Sequence, residues 1–203
     1  MMFTTAIRSS VQWIIYPLIM FSALIGYLFL ISIYPDVIWL AYIPILVAAI
    51  CIAGLEILTP YNRNWSPSRD DIKTDILYML FIQVSIPLLI GLGLVSFLST
   101  PLSNYGAGLS GWWPQHWSLV TQAALMLLVA ELFSYWVHRA AHTIPVLWRF
   151  HAIHHSPEKL YWLNVSRFHP FEKVLQYLVT TSPFMLLGVN QEVIGLYFVF
   201  YAI

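Results

Sequence analysis

The stretch Trp117-Ser-Leu-Val-Thr-Gln-Ala-Ala-Leu-Met-Leu-Leu-Val-Ala-Glu-Leu-Phe-Ser-Tyr-Trp-Val137, running directly into His138-Arg-Ala-Ala-His142, decides the fold class of this 203-residue chain. Its apolar part is as long as the ~20 residues that an α-helix needs to cross a bilayer, and Glu131 is its one charged residue. At 3.6 residues per turn, Glu131, Tyr135, His138 and His142 share one narrow stripe, with the two histidines about a turn beyond the hydrocarbon. The helix therefore delivers two imidazoles, on one face, to a membrane surface.

Working outward, Pro145 ends this helix, and a second helical turn carries His151, His154 and His155 on one side. Neutral imidazole is the commonest nitrogen ligand of zinc, iron and copper. Structural zinc sites favour cysteine, and the cluster has none, so the spacing predicts a catalytic or multinuclear metal centre. A zinc-protease helix needs glutamate directly after its first histidine, and that position is Arg139. No Gly-rich phosphate loop, Ser-His-Asp set or cysteine nucleophile stands out. His116, among tryptophans, reads as an interfacial residue.

Composition agrees with the membrane reading. Hydrophobic residues make up 60% of the chain and charged residues 9%, against about 25% charged in a soluble domain. Net charge is zero, with no basic or acidic block, which argues against a nucleic-acid partner. The single cysteine, Cys51, can form no intrachain disulfide.

Four spans are expected, roughly Val11 to Tyr34, Val37 to Leu58, Ile76 to Leu98 and Trp117 to Val137. With these in place, Arg8, Arg63, Arg69, Lys73, Arg139, Arg149, Lys159, Arg167 and Lys173 all fall on one side, which the positive-inside rule makes cytoplasmic. The histidines share that side. Tyr105, Trp112, Trp113 and Trp117 form the expected aromatic belt on the other. A further run, Val174 to Val189, then Asn190-Gln-Glu192 and a last apolar segment from Val193, reads as a short crossing or a re-entrant hairpin. The expected architecture is an all-α polytopic membrane bundle: four spans, a C-terminal helical hairpin and a histidine metal site at the cytoplasmic face. The apolar end at Ile203 suggests that the natural chain continues.

The stretch Glu131 to His142, then Leu147-Trp-Arg-Phe-His-Ala-Ile-His-His-Ser156, then Leu163-Asn164 and Arg167-Phe-His-Pro-Phe-Glu172, resembles the fatty acid hydroxylase/sterol desaturase superfamily. The weaker Glu56-Ile-Leu-Thr-Pro60 and Arg69-Asp-Asp-Ile-Lys-Thr-Asp75 are similar to its bacterial members. The likeness covers residues 55 to 203, and divides the chain into an N-terminal transmembrane hairpin, 1–60, and a hydroxylase-like domain, 61–203, that is C-terminally incomplete.

The resemblance implies a membrane di-iron oxygenase that hydroxylates or desaturates a sterol or fatty acyl type of lipid with O2. It implies His138 and His142 as ligands from the first box and His151, His154 and His155 from the second. His169 matches a further family position, as a ligand or as a brace for the loop. Glu131, Asn164 and Arg167 are expected to orient ligands rather than bind metal. The implied cofactor is iron, which zinc can replace during expression. The implied partners are the bilayer, a lipid substrate and a cytoplasmic ferredoxin- or cytochrome-type electron donor, in a bacterial inner membrane or endoplasmic reticulum. The family also has a third histidine box further along the chain, absent here, so five or six histidines leave two irons short of donors. The alternatives are a membrane metal-binding or transport protein and a catalytically inactive, truncated scaffold.

Overall fold

A computed structural model describes residues 2–35, 37–94 and 110–203. The end of the expected third span at 95–98, the belt residue Tyr105 and the far-side residues Asp36 and 99–109 lie outside the described residues. All regular structure among the described residues is helical. Trp13–Ile33, Trp39–Leu58, Arg69–Leu94 and Leu119–Thr143 are long and apolar enough to cross a membrane, matching the four expected spans. The protein is a multi-pass membrane helical bundle. Large apolar side chains such as Phe21, Ile25, Leu128 and Leu132 are exposed, as suits surfaces solvated by lipid rather than water.

Helix α1 (Met2–Ile33) contains Pro17, and α2 (Tyr42–Leu58) follows a 3-10 turn at Ile38–Ala41. Helix α3 (Arg69–Leu77) opens with a capping box. The Ser68 hydroxyl accepts the Asp71 N–H at 3.1 Å while the Asp71 carboxylate accepts the Ser68 N–H at 3.0 Å, satisfying two end donors. The third span then widens into a π-helical segment, Tyr78–Val84, before returning to α-helix through residue 94. The Ser85 hydroxyl donates to the Leu80 carbonyl at 2.7 Å there.

Helix α4 (Leu119–Thr143) begins at Ser118, whose hydroxyl accepts the Thr121 N–H at 3.2 Å. It stops at Ile144, which is extended (φ −100°, ψ 116°) because a residue before proline is disfavoured in the α region. Pro145 then starts α5 (Pro145–His151) at its first turn, where the missing N–H costs nothing.

The Val174–Val189 run is two pieces, α6 (Pro170–Thr180) and α7 (Ser182–Leu186). At ~1.5 Å per residue α6 is about 16 Å long, too short to cross a ~30 Å core. Gly188, at φ 70°, makes the turn toward α8 (Gln191–Ala202) in a conformation that side chains rarely adopt.

The chain forms two compact units. One joins Met1–Leu55 to Asn190–Ile203, with α1 packed on α8. Its buried residues include Met20, Tyr27, Val193, Leu196 and Val199, and the Tyr27 ring seats directly on Gly195. The other, Glu56–Val189, holds the histidines. In it α4 packs on α5 and α6, while α3 and the π segment pack on a 3-10 turn, Trp162–Ser166.

The aromatic belt differs in one member. Trp112 and Trp117 are exposed, but Trp113 is buried against Phe184 and donates to the Gln122 side-chain oxygen at 2.6 Å. The Gln122 amide nitrogen in turn donates to the Trp117 carbonyl at 2.8 Å, folding the loop back onto α4. A tryptophan whose N–H has a buried acceptor gains nothing from the interface.

Candidate metal centre

The geometry grows from two local facts. Positions four apart on one helix lie above each other, so His138 and His142 meet at the end of α4, with Nε2 atoms 3.1 Å apart. The Ile144–Pro145 corner then turns the chain so that α5 and the turn after it run back past α4. This brings His151 Nε2 to 3.2 Å and His155 Nε2 to 3.3 Å from His142 Nε2, and to 3.1 Å from each other. One nitrogen from each of the four lies within 4.8 Å of the rest.

The four separations of 3.1–3.3 Å suit neighbouring ligands of one ion, since nitrogens bound at 2.0–2.1 Å around a tetrahedral ion are about 3.3 Å apart. The proton inventory also favours one. The Nδ1–H of His151 donates to Glu172 Oε1 at 2.6 Å, so its Nε2 offers a lone pair to His142 and His155. A carboxylate behind an imidazole fixes its tautomer and raises its basicity toward a metal. Burial, then His142 and His155, push His151 down to about 4, so the fully buried ring is neutral at ordinary pH, the state that a metal requires. Glu172 is raised, chiefly by burial, and its Oε2 is buried without a partner among the described residues.

His154 borders the four. Its ring lies 5.5 Å from that of His151 and 5.3 Å from that of His155, stacked at 4.5 Å on Phe168. It hydrogen-bonds the Arg167 backbone, and its Nδ1 is buried with no partner among the described residues. Burial and then the neighbouring imidazoles push it down to about 4 as well. Trp148 walls the cluster, 5.5 Å from His142 and 5.6 Å from His155.

The remaining sequence candidates lie elsewhere. His169 caps α6, its Nδ1 accepting the Phe171 N–H at 3.1 Å and its ring packed 4.7 Å from Phe150. It is not brought into the group of four. Glu131 is exposed on α4 and makes no hydrogen bond or ion pair among the described residues. His116 packs edge-on to Trp117. Asn164 is buried and donates to the Lys159 carbonyl, bracing the turn that follows the second box. Arg167 reaches across to α3, where its Nε pairs with the buried Asp75 and its Nη2 lies 3.5 Å from Asp71.

Three residues were not singled out by the sequence reading: Glu172, which bonds His151, and Asp75 and Tyr161, whose hydroxyl donates to Asp75. Glu172 lies one turn into a helix capped by His169, and Asp75 is an ionisable group at the foot of an apolar span. Both positions were signals.

Residues 123–203, from the body of α4 through both histidine boxes, match the family model described as fatty acid hydroxylase. The chain belongs to the fatty acid hydroxylase/sterol desaturase superfamily. Among curated members it is 30% identical to an ornithine lipid hydroxylase of Rhizobium tropici over 190 residues, 91% of this chain and 56% of that one. It is 32% identical over 71 residues to a methylsterol monooxygenase of Aspergillus fumigatus, 35% of this chain and 24% of the relative. It is 43% identical over 53 residues to a fatty acid hydroxylase of a Lecanicillium species, 26% of this chain and 13% of the relative. This superfamily member thus spans about half the length of the first of these relatives and less of the others. No solved structure matches it.

Proposed function

We propose that the protein is a membrane non-haem iron oxygenase that hydroxylates or desaturates a lipid, with O2 and electrons from a cytoplasmic donor. The observation that carries the reading is the convergence of four imidazole nitrogens, one of them backed by a buried carboxylate. The lipid-modifying activities named for the relatives support the substrate class.

His138, His142, His151 and His155 would hold iron, and His154, with its orphaned nitrogen at the margin, would complete the shell or reach a second ion. Two ions need further nitrogen donors, so these five supply part of a di-iron centre. Iron held there would supply the oxidising power, with O2, two electrons and two protons, to put one oxygen atom into a C–H bond and release the other as water.

The protein's own residues do the rest. Glu172 holds the His151 proton on Nδ1 and so keeps Nε2 aimed inward. Trp148 beside His142 and His155, and Phe168 stacked on His154, put apolar surface along the edges of the cluster, whose His138, His142 and His155 rings stay exposed. The exposed apolar faces of the spans let an acyl or sterol body arrive from within the bilayer. Arg139, Arg149 and Lys159, on the histidine side, suit an acidic electron donor. Histidines gathered at a helix end, rather than at mid-span, do not suit a transporter.

The test is turnover. The full-length protein reconstituted with ferrous iron, reductant, O2 and bilayer lipid should yield lipid carrying one more oxygen or two fewer hydrogens by mass spectrometry, and His151→Ala should yield none. Undiminished product from His151→Ala would defeat the reading. With Cys51→Ser as background, a cysteine at Ser156 should be shielded from impermeant reagent in intact cells and one at Ser118 labelled. The reverse pattern would put the centre outside the cytoplasm.

A further inference from the structure

We propose that Asp75 is a positioning residue of the metal centre: from the third span it holds, through Arg167 and Tyr161, the segment on which His154 and Glu172 depend. This rests on the metal reading above and extends it to a carboxylate far from the histidines in sequence.

Asp75 is fully buried and both its oxygens are used. Oδ1 pairs with the Arg167 guanidinium and Oδ2 accepts the Tyr161 hydroxyl. Its backbone carbonyl accepts the Ser166 hydroxyl at 3.3 Å. One residue of α3 thus grips both ends of the segment from Tyr161 to Arg167, the second end through Ser166 as well as Arg167. Two neighbours share the load: Glu56 accepts the Trp162 N–H at 2.8 Å, and Lys159 donates to the Ser66 carbonyl at 3.2 Å.

The gripped segment leads to the centre by two routes. The Arg167 backbone hydrogen-bonds His154, and the next residue, Phe168, stacks on the same imidazole. Two residues further on, α6 begins and carries Glu172 to His151. A charged pair taken out of water is weak support for stability compared with packed apolar side chains. Its value lies in direction, because a guanidinium fork on a carboxylate fixes orientation as well as distance. A buried, fully used carboxylate at the foot of a span is therefore better explained as aiming the second histidine box than as holding helices together.

The experiment uses cobalt(II), whose visible spectrum reports coordination geometry, on protein purified in detergent. Wild type should bind it. Asp75→Asn, similar in volume but without charge, should keep its helical circular dichroism, bind cobalt about 10–100-fold more weakly, and show a shifted spectrum. Tyr161→Phe removes a single hydroxyl and should shift the spectrum the same way with a several-fold loss, so it decides the matter if Asp75→Asn fails to fold. Wild-type affinity and spectrum in Tyr161→Phe, and in Asp75→Asn where it folds, would overturn the positioning role and leave the metal reading standing. A wild-type protein that takes up no cobalt would overturn the metal reading itself.

Discussion

His151 and Glu172 stand 21 residues apart in sequence and 2.6 Å apart in space, an imidazole N–H on a buried carboxylate oxygen. The pair joins the second histidine box to α6 and makes the helix that follows the site part of the site.

Removing that carboxylate should release the ring. Glu172→Ala is expected to weaken metal binding by roughly 10–100-fold, whereas Glu172→Gln, which keeps an acceptor for Nδ1–H, should lose less. Competition titration with a chelator of known affinity measures both. Equal affinities for wild type and Glu172→Ala would sever this link.

His169 is expected to act as a cap. His169→Ala should retain metal while losing on the order of 1 kcal/mol of stability, as for other N-caps, and His169→Asn should recover most of it. Elemental analysis beside thermal unfolding separates the roles. Metal loss in a well-folded His169→Asn protein would make His169 a ligand after all.

Acid should loosen the metal-free fold. His151 and His154 titrate near 4 in the folded chain, against about 6.5 when exposed. A depressed histidine pKa means that the unfolded chain binds more protons, so these two groups cost stability as pH falls from about 6.5 toward 4 and cost nothing above. Glu172, raised by burial, acts with the opposite sign. His154→Phe isolates one contribution: its melting temperature should fall less than that of wild type between pH 7 and pH 5. Parallel curves would contradict the assignment.

In the other unit, Tyr27 lies where a side chain at position 195 would begin. Gly195→Ala should therefore cost about 1–3 kcal/mol through overpacking, with metal content unchanged. Tyr27→Leu in the same chain should restore much of it. A neutral Gly195→Ala would mean that the ring moves aside freely.

How much could be read from sequence follows from range. The spans, the imidazole pair at positions 138 and 142 and the break at Pro145 are local, fixed by composition, a 3.6-residue period and a missing N–H. Of the second box, His151 and His155 join the first pair, whereas His154, expected on the same side, lies at the margin against Phe168. The Glu172–His151 and Asp75–Arg167 pairs cross 21 and 92 residues, and no spacing encodes a contact made by tertiary packing. The sequence points to Glu131 as the orienting carboxylate, because charge inside a span is costly. It lies about two turns from His138, on an exposed face, while Glu172 occupies that role geometrically. The π segment was illegible because Tyr78–Val84 has the apolar composition of any spanning helix.

The most direct measurement of the central claim is iron K-edge X-ray absorption on protein purified with ferrous iron, wild type beside His142→Ala. The account predicts an imidazole-rich shell near 2 Å in wild type, with the multiple scattering that histidine rings produce, and loss of most iron from the variant whose missing nitrogen touches three others. An oxygen-only shell, or full iron retention by His142→Ala, would contradict it.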